Sequence, residues 1–195
     1  MATMLDTLSG VSSQREQKTP NGVTVIPYNA LFDKESDKFL PWFWQRLKED
    51  GLVSLYYPGQ EDTGFAHFVR MLSGGAQVAI IVANDDAKQP GKPIGFVSWE
   101  PLALGSKVTA SAGFIFLKEF WDHKHSTDAA NAIMKYWFTQ TDIEVVLGII
   151  ASENHLAQRF MKRIGWNLRG TLPGCHLWAG KSCDATIWCI TKENY

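Results

Sequence analysis

The turn Trp121-Asp122-His123-Lys124-His125-Ser126 stands directly before Thr127–Phe138, a segment with helical spacing of apolar residues. Free N–H groups at a helix start carry positive partial charge and stabilise an anion there. Lys124, with His123 and His125, would add charge to such a site, and Ser126 and Thr127 would add hydroxyl donors. Without a ligand the same residues make a solvated basic turn, and the residues alone leave both readings open. Glu100 ends a strand-like run beside Pro101. Its carboxylate would accept a proton in acid–base chemistry or stand as an exposed strand-end charge. Asn154 precedes a second helical segment and suits an N-cap. His155 fits a surface position on that helix, and His67 and His176 take no role. Cys175, Cys183 and Cys189 are odd in number, late in the chain and too widely spaced for a metal cluster. They read as structural thiols of a reducing compartment, which makes the cytoplasm the expected location.

The elements that must hold these groups follow from periodicity. Gly22–Tyr28 alternates and is β-branched, as a first strand does. Phe32–Asp50 has helical spacing, with Pro41 predicting a kink or two short helices. Asp62–Leu72 reads as a further helix closed by Ser73-Gly74-Gly75. Gln77–Ala83, Ile94–Glu100 and Val108–Leu117 are three strand patterns, the first two separated by a polar turn. Ile143–Ile150 is nearly all apolar, as for a strand covered on both faces. Asn154–Ile164 is helical and Gly165 stops it. Trp166–Gly170 and Ala185–Thr191 are two last strands around a turn-rich loop. That order predicts a mixed α/β sheet in one domain over 21–195, behind a polar, flexible leader over 1–20.

The totals exclude several classes. With 195 residues the chain can bury a full core, and 45% hydrophobic with 20% charged residues is ordinary for a soluble domain. A net charge of −1 offers no field for nucleic acid or an anionic membrane. No apolar run reaches the length of a membrane span. The eight Trp are expected mostly in the core.

Three segments between Ile94 and Tyr195 resemble the GNAT superfamily, and within it the branch of ribosomal-protein N-terminal acetyltransferases. The first is GFIFLKEFWDHKHSTDAANAIMKYWF, Gly113–Phe138, where Gly113-Phe114, Phe120-Trp121, Ser126-Thr127-Asp128-Ala129 and Tyr136-Trp137-Phe138 match the branch's strand-to-helix pattern. The second is NHLAQRFMKRIGWNLRG, with Asn154, Arg159, Arg163, Gly165-Trp166 and Gly170 in the family's places. The third is Gly180, Asp184, Trp188 and Ile190-Thr191-Lys192, similar to the closing strand.

The resemblance implies the GNAT fold: a mixed, mostly antiparallel sheet flanked by helices, with one splayed parallel strand pair. It implies acetyl-CoA as cosubstrate and an amine as acceptor, whether protein N-terminus, lysine or small molecule. The backbone of Phe114, Ile115, Phe116 and Leu117 would pair with the pantetheine arm, as an added strand pairs with a sheet edge. The turn His123, Lys124, His125, Ser126 and Thr127 would meet the pyrophosphate. Asn154 would hold the pantetheine and Glu100 would be the base. The chain departs from the pattern twice. Lys124 stands where the family has its key glycine, and Ala157 where the branch carries a serine. These departures keep a second reading, a non-catalytic GNAT-shaped binding or assembly protein, for which a phage or mobile-element setting would suit. A different acyl-CoA donor is a third, resting on bulky Phe114 and Phe116. The acceptor and the oligomeric state, a homodimer included, stay open.

Overall fold

A computed structural model describes residues 17–18, 22–27, 36–56, 65–66, 69, 77–83, 92–102, 105, 107–121 and 124–195. The strands are β1 (Gln17–Lys18), β2 (Val23–Pro27), β3 (Gln77–Ala83), β4 (Lys92–Leu102), β5 (Thr109–Phe116), β6 (Val145–Ala151), β7 (Asn167–Trp178) and β8 (Lys181–Thr191). The helices are α1 (Ser36–Glu49), α2 (Val53–Tyr56), α3 (His125–Gln140) and α4 (His155–Arg163), with short 3-10 turns at Lys118–Phe120 and Lys192–Asn194. The sheet runs β1-β2-β3-β4-β5-β6-β8-β7. Every neighbouring pair is antiparallel except β5 and β6, which run parallel with α3 as the crossover. The mixed sheet is the architecture that the order of elements predicts, and its one parallel pair is what the family resemblance implies.

Helices cover the sheet because alternate strand residues are apolar. On one face Trp99 of β4 and Ala112 of β5 share a cluster with Ala130, Met134 and Trp137 of α3 and Met161 of α4. Phe96 and Ile115, of opposite alternation, cluster with Phe43 and Leu47 of α1. Five of the eight Trp are buried: Trp44, Trp99, Trp137, Trp166 and Trp188.

The expectations at Pro41, in the leader and in the turn-rich loop are revised. Pro41 lies inside one unbroken helix. It sits in the second turn, where its missing N–H removes a single bond to the carbonyl of Asp37. The following turns are anchored by buried Phe43, Trp44 and Leu47. Gln17–Lys18, within the expected leader, pairs with Val25 and Thr24 of β2. Of the expected helix Asp62–Leu72, residues 65–66 and 69 are helical and the others lie outside the described residues. The turn-rich loop is instead the outer part of a long β7–β8 hairpin. Ala179 and Gly180 both take positive φ, 47° and 75°, as a two-residue hairpin turn requires. The ladder is irregular between Leu172 and His176, around Pro173. There the Asp184 carboxylate accepts from the Gly174 N–H at 2.9 Å, and the Ser182 hydroxyl donates to the Gly174 carbonyl at 3.2 Å. Side chains thus hold the backbone where proline and glycine interrupt the ladder. β7 ends the sheet.

Candidate active site

The parallel pair opens. β5 and β6 are paired only at Thr109–Val145, Ala110–Val146 and Ser111–Leu147. Beyond Ser111, β5 stays with β4 as far as the pair Gly95–Phe116. Beyond Leu147, β6 stays with β8 as far as Ala151–Ala185. A wedge therefore runs from Ala112 and Gly148 outward. Trp166 lies against Gly148: a Cβ there would be 3.1 Å from its ring. Rings wall the α3 and α4 side, with Phe114 packed at centroid distances of 5.6 Å from Phe160, 6.1 Å from Trp137 and 6.4 Å from Trp166.

The β5 edge facing the wedge can be identified by its hydrogen bonds. Leu117 N–H donates to the Ile94 carbonyl of β4 at 2.9 Å. Antiparallel alternation then points the groups of Ile115 to β4 and those of Phe114 and Phe116 away from it. The Ala112 carbonyl agrees, lying 3.8 Å from where a Gly148 Cβ would be. Of the four residues expected to line a groove, Phe114 and Phe116 thus offer edge groups, while the N–H of Leu117 is bonded within the sheet.

Phe116 already has a partner at its carbonyl. Trp121 Nε1–H donates to its carbonyl at 2.9 Å. Tyr56, at the end of α2, packs with Trp121 against the cluster that contains Phe116. Burial pushes the Tyr56 phenol up to about 12, so it stays protonated across the physiological range. Trp121 matches a family motif, whereas Tyr56 lies at the margin of a loop without an assigned role.

At the start of α3, Asp122 and His123 lie outside the described residues. Lys124 is the exposed N-cap residue, with φ −85° and ψ −70° and no side-chain cap bond. His125 sets its ring edge-on against Phe120 at 5.6 Å. Ser126 is buried, and Thr127 Oγ1 is buried with no hydrogen-bond partner among the described residues. An orphaned hydroxyl in the first turn of a helix suits an anionic or amide-bearing ligand. Glu100 is exposed on β4 opposite Ser111, at the closed apex of the wedge. By alternation from Trp99 it belongs to the α1 face. Asn154 caps α4, its Oδ1 accepting from Ala157 N–H at 3.0 Å. The residues present fit a coenzyme in part. The edge groups of Phe114 are turned into the wedge, whereas the Thr127 hydroxyl is buried and the carbonyl of Phe116 is engaged.

A mixed sheet with one splayed parallel pair and a crossover helix starting at the mouth of the splay defines the acyl-CoA N-acyltransferase class of fold. A family model described as the acetyltransferase (GNAT) domain matches residues 33–167, more than half of the chain. The chain belongs to the GNAT acetyltransferase family. Solved structures agree on the fold. A GNAT-family acetyltransferase from Bacillus anthracis superposes with a TM-score of 0.69 at 15% identity, over 92% of this chain and 99% of that one. RimL, a ribosomal L7/L12 alpha-N-protein acetyltransferase solved with coenzyme A, gives 0.69 at 15% identity over 91% and 98%. Among curated proteins, the uncharacterized YkkB of Bacillus subtilis (strain 168) is 22% identical over 130 residues, 65% of this chain and 74% of that protein. Among the described residues no helix is long and apolar enough to cross a membrane.

Proposed function

We propose that the chain moves an acetyl group from acetyl-CoA to an amine by direct attack within a ternary complex. The observation that carries this is the wedge between β5 and β6, with the Phe114 edge turned into it. A pantetheine arm is an extended amide chain, and an open strand edge is its natural partner. Solved relatives support the cosubstrate: the microcin C7 self-immunity acetyltransferase MccE was solved with acetyl-CoA and AMP, at a TM-score of 0.65 and 16% identity over 90% of this chain and 98% of that one. The amine nitrogen would attack the thioester carbonyl carbon, forming the N–C bond as the C–S bond breaks. Glu100, at the wedge apex on the face opposite α3, would take the proton that the amine loses. Backbone N–H of the β5 edge would face the oxygen as it becomes negative. The thiolate would take a proton from water, since Ala157 offers no hydroxyl.

Glu100→Gln is expected to lower turnover by about 10²-fold or more while leaving CoA binding intact. Unchanged turnover removes Glu100 as the base. A second reading, a binding protein without catalysis, draws on Lys124 at the α3 cap and on the engaged Phe116 edge. Calorimetry with acetyl-CoA and CoA separates the two, because no binding at millimolar ligand would leave only the second.

A further inference from the structure

We infer that the acceptor is a primary amine carried on an apolar body, received on the α1 face of the sheet in a notch that Gly113 leaves open beside the wedge. This deepens the acetyltransferase reading and rests on it. Phe43 of α1 packs on Phe96 of β4 at a ring distance of 5.5 Å, and the paired Ile115 of β5 is buried in the same cluster. One step toward the wedge apex on that face, the cover stops. The paired residues Ser98 and Gly113 are partly exposed and exposed, in the middle of an eight-stranded sheet. Apart from its chain neighbours, a Cβ on Gly113 would meet only Ser98 Oγ within 4 Å, at 3.9 Å. A glycine inside a strand marks a bulge or the close approach of another molecule. The β4–β5 ladder passes Gly113 without a shift of register, which leaves the close approach.

Two kinds of surface meet at the notch. On one side stand Ser98, Glu100 and Ser111, the last two directly opposite each other. The carboxylate attracts an ammonium group, and the serine hydroxyls can accept from its N–H groups. On the other side, β6 and β8 turn Leu147, Ile149 and Ile187 to the same face. Ile149 and Ile187 are directly opposite, with Ile149 57% exposed and Ile187 partly so. An exposed apolar row next to a carboxylate suits an amine whose substituent is apolar. From Glu100 to Leu147 is two strand spacings, about 10 Å, the reach of an amine bearing one ring or branched chain. Of the residues that β4, β5, β6 and β8 turn to this face, Glu100 is the one acid. The further ammonium groups of a polyamine would lie on Leu147 and the isoleucines, where a charge loses water and gains no partner.

The test offers propylamine, phenethylamine and spermidine as acceptors at fixed acetyl-CoA. With the wild type, kcat/KM for phenethylamine is expected to exceed that for propylamine about tenfold or more, because the ring leaves water. It should also exceed that for spermidine. Gly113→Val fills the notch and should raise KM for phenethylamine about tenfold or more, while CoA affinity by calorimetry stays at the wild-type value. Should that variant not fold, Gly113→Ala carries the same comparison. Ile149→Asp adds a second carboxylate at an exposed position, so the preference for phenethylamine over spermidine should shrink or reverse, again with CoA affinity unchanged. Spermidine equal to or better than phenethylamine with the wild type overturns the acceptor class and leaves the acetyltransferase reading standing. A wild-type KM in the Gly113 variant overturns the notch. Failure to acetylate any of the three amines, by protein that binds acetyl-CoA, overturns the inference as well. Protein that binds no CoA at millimolar concentration overturns the acetyltransferase reading and this inference with it.

Discussion

Lys124 occupies the place of a family glycine, and its backbone says what kind of loss that is. With φ −85° and ψ −70° it is in the right-handed helical region, open to any L-residue. A glycine is therefore not needed here for conformation. Its benefit would be space for a phosphate to approach the chain. An ammonium group at a helix N-terminus can compensate by charge. Lys124→Ala keeps the Cβ and removes the charge, so CoA binding should weaken about twofold to fivefold, as for a solvent-exposed ion pair. The difference should shrink as salt rises, measured by calorimetry at two ionic strengths. A tighter complex in the variant would mean that the side chain obstructs. At this scale, legibility in the sequence follows range. Asn154 was visible as a cap because its partner, Ala157 N–H, is three residues on. The place of Tyr56 was not, because it meets the cluster around Phe116 only when α2 packs on the sheet.

Strands β4 and β5 carry the edge, and Gly95 sets their spacing. It pairs with Phe116, and a Cβ on it would stand 2.3 Å from the Ile115 carbonyl oxygen. That atom is backbone, so relief requires the two strands to part. Gly95→Ala should cost about 3 kcal/mol or more by urea unfolding. Surviving protein should show faster amide exchange at Leu117, whose N–H bonds the Ile94 carbonyl across the same register. Stability within about 0.5 kcal/mol of wild type would show that the strands can shift freely. The elements themselves were largely legible, because β3, β5 and β6 are apolar enough for their period to show. The outer hairpin was not. Pro173, Gly174 and Gly180 look like loop residues locally, and only the bonds from Asp184 and Ser182 across the hairpin hold them as strand.

Over the whole molecule, the sheet is two parts joined at three residue pairs of β5 and β6 and bridged by the cluster around Trp137. A ligand wedged between them contacts both parts and binds only the folded chain. At a hundredfold excess over Kd it adds about 2.7 kcal/mol to stability. For a chain of this size that is about 5 to 10 °C in Tm, readable by scanning calorimetry with CoA. An unmoved Tm at such an excess would place the ligand elsewhere or nowhere. The salt bridges Arg46–Glu119 and Lys92–Glu119, each 3.4 Å, tie α1 and β4 to the 3-10 turn beside the wedge mouth. The order of strands was legible from the family resemblance and the alternation of elements, whereas ties of this kind depend on side chains brought together from distant segments.

The outermost strand carries a last consequence. β7 ends the sheet, so one row of its backbone groups faces outward, along a strand that also exposes Leu168, Leu172 and Leu177. Such a border invites another molecule to stack on it and propagate a fibre. Pro173 has no N–H to offer, and the irregularity from Leu172 to His176 breaks the row into two short stretches. The feature that disguised β7 as a loop therefore also interrupts the border on which another copy could stack.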